Sequence, residues 1–128
     1  GLSVRMLAIG VGLSHAAAVR LADRLTNQGL IESRATSTDG RVRSLYLTSA
    51  GQEASAAVLA ARDEVIAEGL SILNKGEMKF LADIAERVLR ARLENLEHSY
   101  RICRLCCYEG CTDCPIDAEL HERGLDRA

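Results

Sequence analysis

Apolar residues recur at helical spacing along most of the chain, and one short stretch reads as extended. Ser3 is placed to cap a first helix running to about Ile9, with Val4, Leu7 and Ala8 as its inner side. Gly10 and Gly12 are expected to break it. Ser14 caps a second helix, His15 to Gln28, whose apolar row is Ala18, Leu21, Ala22 and Leu25. Gly29 is expected to end that helix in the left-handed conformation. Two helices joined by a short glycine-containing turn form a helix-turn-helix. Leu30 and Ile31 then open a strand reading to about Ser37. Thr38-Asp39-Gly40-Arg41 is a turn, and Val42 to Leu47 returns as the second strand. A helix-turn-helix followed at once by a hairpin is a winged helix.

Beyond Leu47 the period is helical again. Thr48 caps a helix predicted over about 49–73. One stripe is Ala54, Val58, Ala61, Val65 and Ile72, and a second is Leu59, Ile66, Leu70 and Leu73. Asn74 and Glu77 have capping-box spacing and precede a last helix expected from about Glu77 to Tyr100. Its rows are Leu81, Ile84 and Val88, then Leu89, Leu93, Leu96 and Tyr100. Double stripes imply burial on two sides, more than one small winged helix needs. The fold class is therefore mainly α with a small β-hairpin: a winged helix-turn-helix followed by a long helical arm. The expected regions are 1–48 for the winged helix, 49–100 for the arm and 101–128 for a cysteine-rich tail.

Composition sharpens this outline. Of 128 residues, 48% are hydrophobic but only 3% are aromatic, so alanine and leucine build the apolar rows and favour helix. The net charge of −2 is no recommendation for a nucleic-acid binder until it is divided along the chain. Residues 1–48 hold six Arg against Asp23, Glu32 and Asp39, a net +3. Residues 49–128 hold ten Lys/Arg against fifteen Asp/Glu, a net −5. That asymmetry points to nucleic-acid contact by the front part. No apolar run approaches the length of a membrane span, so no membrane partner is expected. The opening residues lack a basic leader, so a cytoplasmic setting is expected.

Several short motifs fall in a familiar order. These are Gly12-Leu13-Ser14, Arg20-Leu21-Ala22-Asp23-Arg24-Leu25, Gly29-Leu30-Ile31, Asp39-Gly40-Arg41 and Leu47-Thr48-Ser49-Ala50-Gly51. In this arrangement the chain resembles the winged-helix core of the multiple-antibiotic-resistance regulator (MarR) family over roughly residues 2–100. The resemblance implies a homodimeric transcriptional regulator of double-stranded DNA, responding to a small-molecule or oxidant signal. Family members have two helices before the point where this chain starts, so an N-terminal part of the winged helix is expected to be missing.

On this reading the second helix is the recognition helix, placed in the major groove. Its outward face carries His15, Ala16, Val19, Arg20 and Asp23, with Arg24 in the same motif. Arg20 suits a guanine edge, and Ala16 and Val19 suit thymine methyls. Ser14 and His15 sit at the positive helix end and suit phosphate. Arg41 is expected in the minor groove, Asp39 holds the wing tip or pairs with an Arg, and Arg34 and Arg43 meet phosphates. Without the resemblance the same face reads as solvated surface. An effector crevice between arm and winged helix is implied but not located. Met78, Phe80 and Tyr100 are candidates to line it, although such residues at helical spacing are more often core.

All five cysteines lie between positions 103 and 114. Cys103, Cys106, Cys111 and Cys114 form C-x2-C-x4-C-x2-C, and Cys107 is spare. Paired cysteines suit a four-thiolate zinc site. An iron–sulfur cluster is a weaker alternative, and a thiol switch is a third. No Ser-His-Asp set, phosphate loop or paired carboxylate site appears, so no enzyme is expected. The rival reading is a protein-interaction module with a metal- or redox-active tail and no DNA binding.

Overall fold

A computed structural model describes residues 1–35, 43–106 and 113–125. The order is α1 (Val4–Val11), α2 (His15–Asn27), β1 (Ile31–Ala35), β2 (Arg43–Leu47), α3 (Ser49–Leu70), α4 (Lys75–Arg92), α5 (Leu96–Ile102) and α6 (Pro115–Glu122). The chain divides into two compact units, residues 1–62 and 63–128. No single helix among the described residues is long and apolar enough to cross a membrane.

In the first unit, Ser3 Oγ accepts the Met6 N–H at 3.2 Å and Ser14 Oγ accepts the Ala17 N–H at 3.3 Å, so both predicted caps form. Gly10 does not break α1, which continues to Val11. A helical glycine costs only about 1 kcal/mol, and neighbouring turns absorb it. Gly12 is the true stop. It takes φ 70°, and the Leu13 N–H closes onto the Ala8 carbonyl at 2.9 Å. Gly29 ends α2 in the same way, with Leu30 bonded to Leu25 at 3.0 Å. Both are Schellman ends, where a residue without a Cβ takes the left-handed position. The two helices bend through 105° across the turn, as a helix-turn-helix requires. Ala8, Ala18, Ala22 and Ile31 are buried, so small side chains let the helices approach closely.

β1 and β2 pair antiparallel, from Ile31 opposite Leu47 to Ala35 opposite Arg43. The predicted turn Thr38–Arg41, with Ser37 and Val42, lies outside the described residues. Leu2 adds a bridge that the periodicity did not announce, since one residue has no period. It donates to the Leu45 carbonyl at 3.0 Å and accepts from the Leu45 N–H at 2.8 Å. Thr48 ties the hairpin to the helix-turn-helix. Its Oγ1 donates to the Gly29 carbonyl at 2.6 Å and accepts the Gly51 N–H at 3.1 Å.

The second unit departs from the single predicted helix over 77–100. The capping box at Asn74 and Glu77 forms and α4 begins at Lys75, but the helix stops at Arg92. Leu93 turns extended at ψ 119°, and Asn95 recaps the chain by accepting the His98 N–H at 2.9 Å. Asn competes with helix by bonding locally, and Leu93 turns inward to 2% exposure. The predicted helix over 49–73 likewise ends early, at Leu70.

The tail folds back on this break. Pro115 occupies the first turn of α6, where its missing N–H costs nothing. Ile116 and Leu120 pack with Leu93 into one buried cluster, flanked by Leu96, Ile102, Cys103, Cys114 and Leu125. Polar clips surround it. Arg90 contacts Glu119 at 2.8 Å and Glu122 at 2.5 Å, and Arg123 bonds Glu119 and the Leu93 carbonyl, each at 2.7 Å. Gly124 closes α6 as the third left-handed helix end, with Leu125 bonded to Leu120 at 2.8 Å.

The arm's stripes are not internal. Val58, Val65 and Phe80 are each about two-thirds exposed, and α4 buries no residue at all. The expectation that Met78 and Phe80 are core is therefore corrected: both side chains are exposed. Tyr100 is half-buried.

Candidate nucleic-acid interface

Two adjacent rows of α2 form one exposed surface. His15, Val19 and Asp23 make one row, and Ala16, Arg20 and Arg24 make the next, each residue a helical turn from its neighbour. The opposite side holds the buried Ala18 and Ala22, with Leu21 and Leu25 half-buried. This split follows the apolar row read from the sequence. Among the described residues neither Arg20 nor Arg24 has an ion-pair partner, so both guanidinia keep their donors for an external acceptor. Ser14 spends its hydroxyl on the Ala17 N–H, which leaves the N–H groups of His15 and Ala16 at the positive helix end.

The hairpin brings two more arginines. Arg43 donates from Nε to Ser33 Oγ and from its terminal nitrogen to the Ser33 carbonyl, both at 2.9 Å. Two of its five N–H groups hold it across the strands, and among the described residues the other three have no partner. Arg34 is anchored differently. It pairs with Glu32, with Nε 2.9 Å from the carboxylate, and lies over the Tyr46 ring at 4.8 Å from its centre. Its charge is thus answered inside the hairpin, which weakens it as a phosphate contact relative to Arg43. Neither Glu32 nor Tyr46 is singled out by sequence motifs. The strand period held the signal, since Glu32 and Arg34 share a face and Tyr46 stands opposite Glu32. Asp39 and Arg41 lie outside the described residues.

The basic side chains of this region are all arginine: residues 1–48 contain no lysine. Planar guanidinium suits bidentate recognition of base edges and phosphates, whereas an ammonium acts as a point charge.

Of the tail's candidate ligands, Cys103 and Cys114 are half-buried against the Leu93–Ile116–Leu120 cluster and Cys106 is exposed. Cys111 lies outside the described residues. Among the described residues no three His, Cys, Asp or Glu side chains gather as a metal site.

No family model matches the chain, and no curated protein matches it either. The solved structures do offer a likeness. The crystal structure of the transcriptional regulator SlyA superposes with a TM-score of 0.58 at 19% sequence identity, covering 80% of this chain and 69% of that one. At that identity the likeness is one of architecture: this chain has a winged helix-turn-helix fold like that of SlyA.

Proposed function

We propose that the protein is a dimeric, sequence-specific DNA-binding transcriptional regulator, acting as a repressor released by a small-molecule or redox signal. The observation that carries this reading is the Arg20–Arg24 row on the exposed face of α2, unpaired among the described residues, in a fold shared with a transcriptional regulator. α2 enters the major groove. Arg20 donates two hydrogen bonds to a guanine edge, Ala16 and Val19 meet thymine methyls, and Arg24 follows one turn later. The α2 N-terminus with Ser14 and His15 sits on phosphate, as does the preset Arg43. Arg41, with Asp39 beside it, belongs to the wing tip and the minor groove, and Arg34 supplies a weaker phosphate contact.

Mobility shift against DNA upstream of the protein's own gene tests this division of labour. Arg20→Ala should lower specific affinity by about 1–3 kcal/mol and relax base preference at one position. Arg43→Ala should weaken specific and random DNA alike and reduce the salt slope by about one. Equal effects of both variants on both DNAs would sink the assignment.

The cysteine tail is proposed as a zinc site of Cys103, Cys106, Cys111 and Cys114, with zinc supplying a structural cross-link between α5 and α6. Metal content of protein purified without added metal checks this. A colourless, metal-free and fully DNA-binding protein would remove the proposal.

A further inference from the structure

We propose that the elbow between α4 and α5 is a binding pocket for a small organic anion with an apolar body. The break at Leu93 turns the chain and leaves an open concavity of about 540 Å³. Arg92, Arg101 and Arg104 line it against a single acid, Glu94. Arg92 and Arg101 have no ion-pair partner among the described residues. Acids are not scarce here, since residues 49–128 hold fifteen Asp/Glu, and Arg90, two positions before Arg92, engages both Glu119 and Glu122. Among the described residues Arg92 and Arg101 are thus left unpaired by their placement, not by a shortage of acids.

The remaining groups suit an anion with a hydrophobic body. Arg104 donates to the Arg101 carbonyl at 2.9 Å, which holds its guanidinium along α5. His98 accepts the Glu94 N–H at Nδ1, 3.3 Å away, so its proton resides on Nε2 as a further donor. Leu89 and Leu105 supply an apolar wall and are 36% and 47% exposed. A guanidinium grips a carboxylate or phosphate head bidentately. The leucines shield a small apolar body from water, at roughly 25 cal/mol per Å² covered. Bare nucleic-acid backbone has no such body. The pocket lies within residues 89–105, so the proposal does not rest on the DNA-binding reading.

Calorimetric titration of the full chain with 1-naphthoate, 1-naphthyl phosphate and the neutral 1-naphthalenemethanol tests it. At least one of the two anions should bind saturably, one per chain, and the stronger one identifies the head group. The alcohol should bind at least ~10-fold more weakly. The double variant Arg92→Gln with Arg101→Gln should lose at least ~10-fold in anion affinity. Arg87→Gln, on a separate part of α4, should leave it unchanged. Leu105→Glu, a second variant at an exposed position, should abolish anion binding by like charge. Tight binding of the alcohol, full binding by the Arg92→Gln/Arg101→Gln or the Leu105→Glu variant, or no binding of either anion would overturn the proposal. These titrations contain no DNA, so their outcome is independent of whether the protein binds an operator.

Discussion

Gly51 shows how a single residue can join the helix-turn-helix to the start of α3. It sits in the first turn of α3, where a Cβ would lie 1.9 Å from the Leu30 carbonyl oxygen. The helix start approaches the backbone leaving α2 so closely that only a hydrogen fits. Thr48, three residues earlier, holds that approach with two side-chain bonds, at 2.6 Å to the Gly29 carbonyl and 3.1 Å from the Gly51 N–H. Gly51→Ala should therefore destabilise the protein by about 1–3 kcal/mol, as overpacking does. Gly69, late in the same helix, has nothing within 4 Å of its missing Cβ. Gly69→Ala should stabilise by roughly 0.5 kcal/mol through helix propensity and chain entropy. Urea unfolding of both variants checks the pair, and equal effects would refute the steric account. The sequence marked Leu47-Thr48-Ser49-Ala50-Gly51 as a motif, but not why its glycine is needed: the clash comes from a carbonyl twenty-one positions away.

At the scale of elements, the clip between α6 and α4 is the feature most exposed to solution conditions. The Arg123 hydrogen bond, followed by the charge of Arg123 and the contacts of Arg90, holds the Glu119 carboxyl below its ordinary value of 4.5, although partial burial opposes this. The folded-state value is thus lower than the unfolded one. The clip contributes fully above about pH 4.5 and is lost as pH falls through the folded value. Unfolding midpoints should fall on acidification over that range, and Glu119→Gln should flatten the dependence. An unchanged pH profile in the variant would show that the clip is not responsible. This element was not legible in advance, and the reason is physical. α1, α2, the hairpin strands and the starts of α3 and α4 announce themselves by local caps and periods. The stop at Leu93 depends on Ile116 and Leu120 arriving from more than twenty residues downstream, and continued apolar spacing through Leu93, Leu96 and Tyr100 hides it. The exposed rows of α2 were legible for the converse reason: one helix's own periodicity decides which side packs.

For the whole molecule, the arm's exposed stripe is the clearest argument for a second copy. On α3, Val58 and Val65 lie seven residues apart and are 66% and 69% exposed; Ile72, seven further on in the turn after the helix, is 85% exposed. Ala54 and Ala61 each precede one of the valines by four residues, at coiled-coil spacing. The seam begins where α3 leaves the hairpin, so self-pairing along it would fix two copies of α2 relative to each other. Helix-turn-helix readers gain affinity when two such helices lie about 34 Å apart on one face of DNA. If the copies pair here, apparent stability should rise by about 1.4 kcal/mol of dimer for each tenfold increase in protein concentration. Val65→Glu places a charge at the centre of the seam and should yield monomers in sedimentation equilibrium. Because this residue is exposed in the single chain, the variant's secondary structure should persist. Its specific DNA affinity should fall steeply, while the salt dependence per bound chain stays the same, since each head keeps its own arginines. A monomeric variant that still binds its operator at full strength would separate dimerisation from DNA reading and refute this role for the arm.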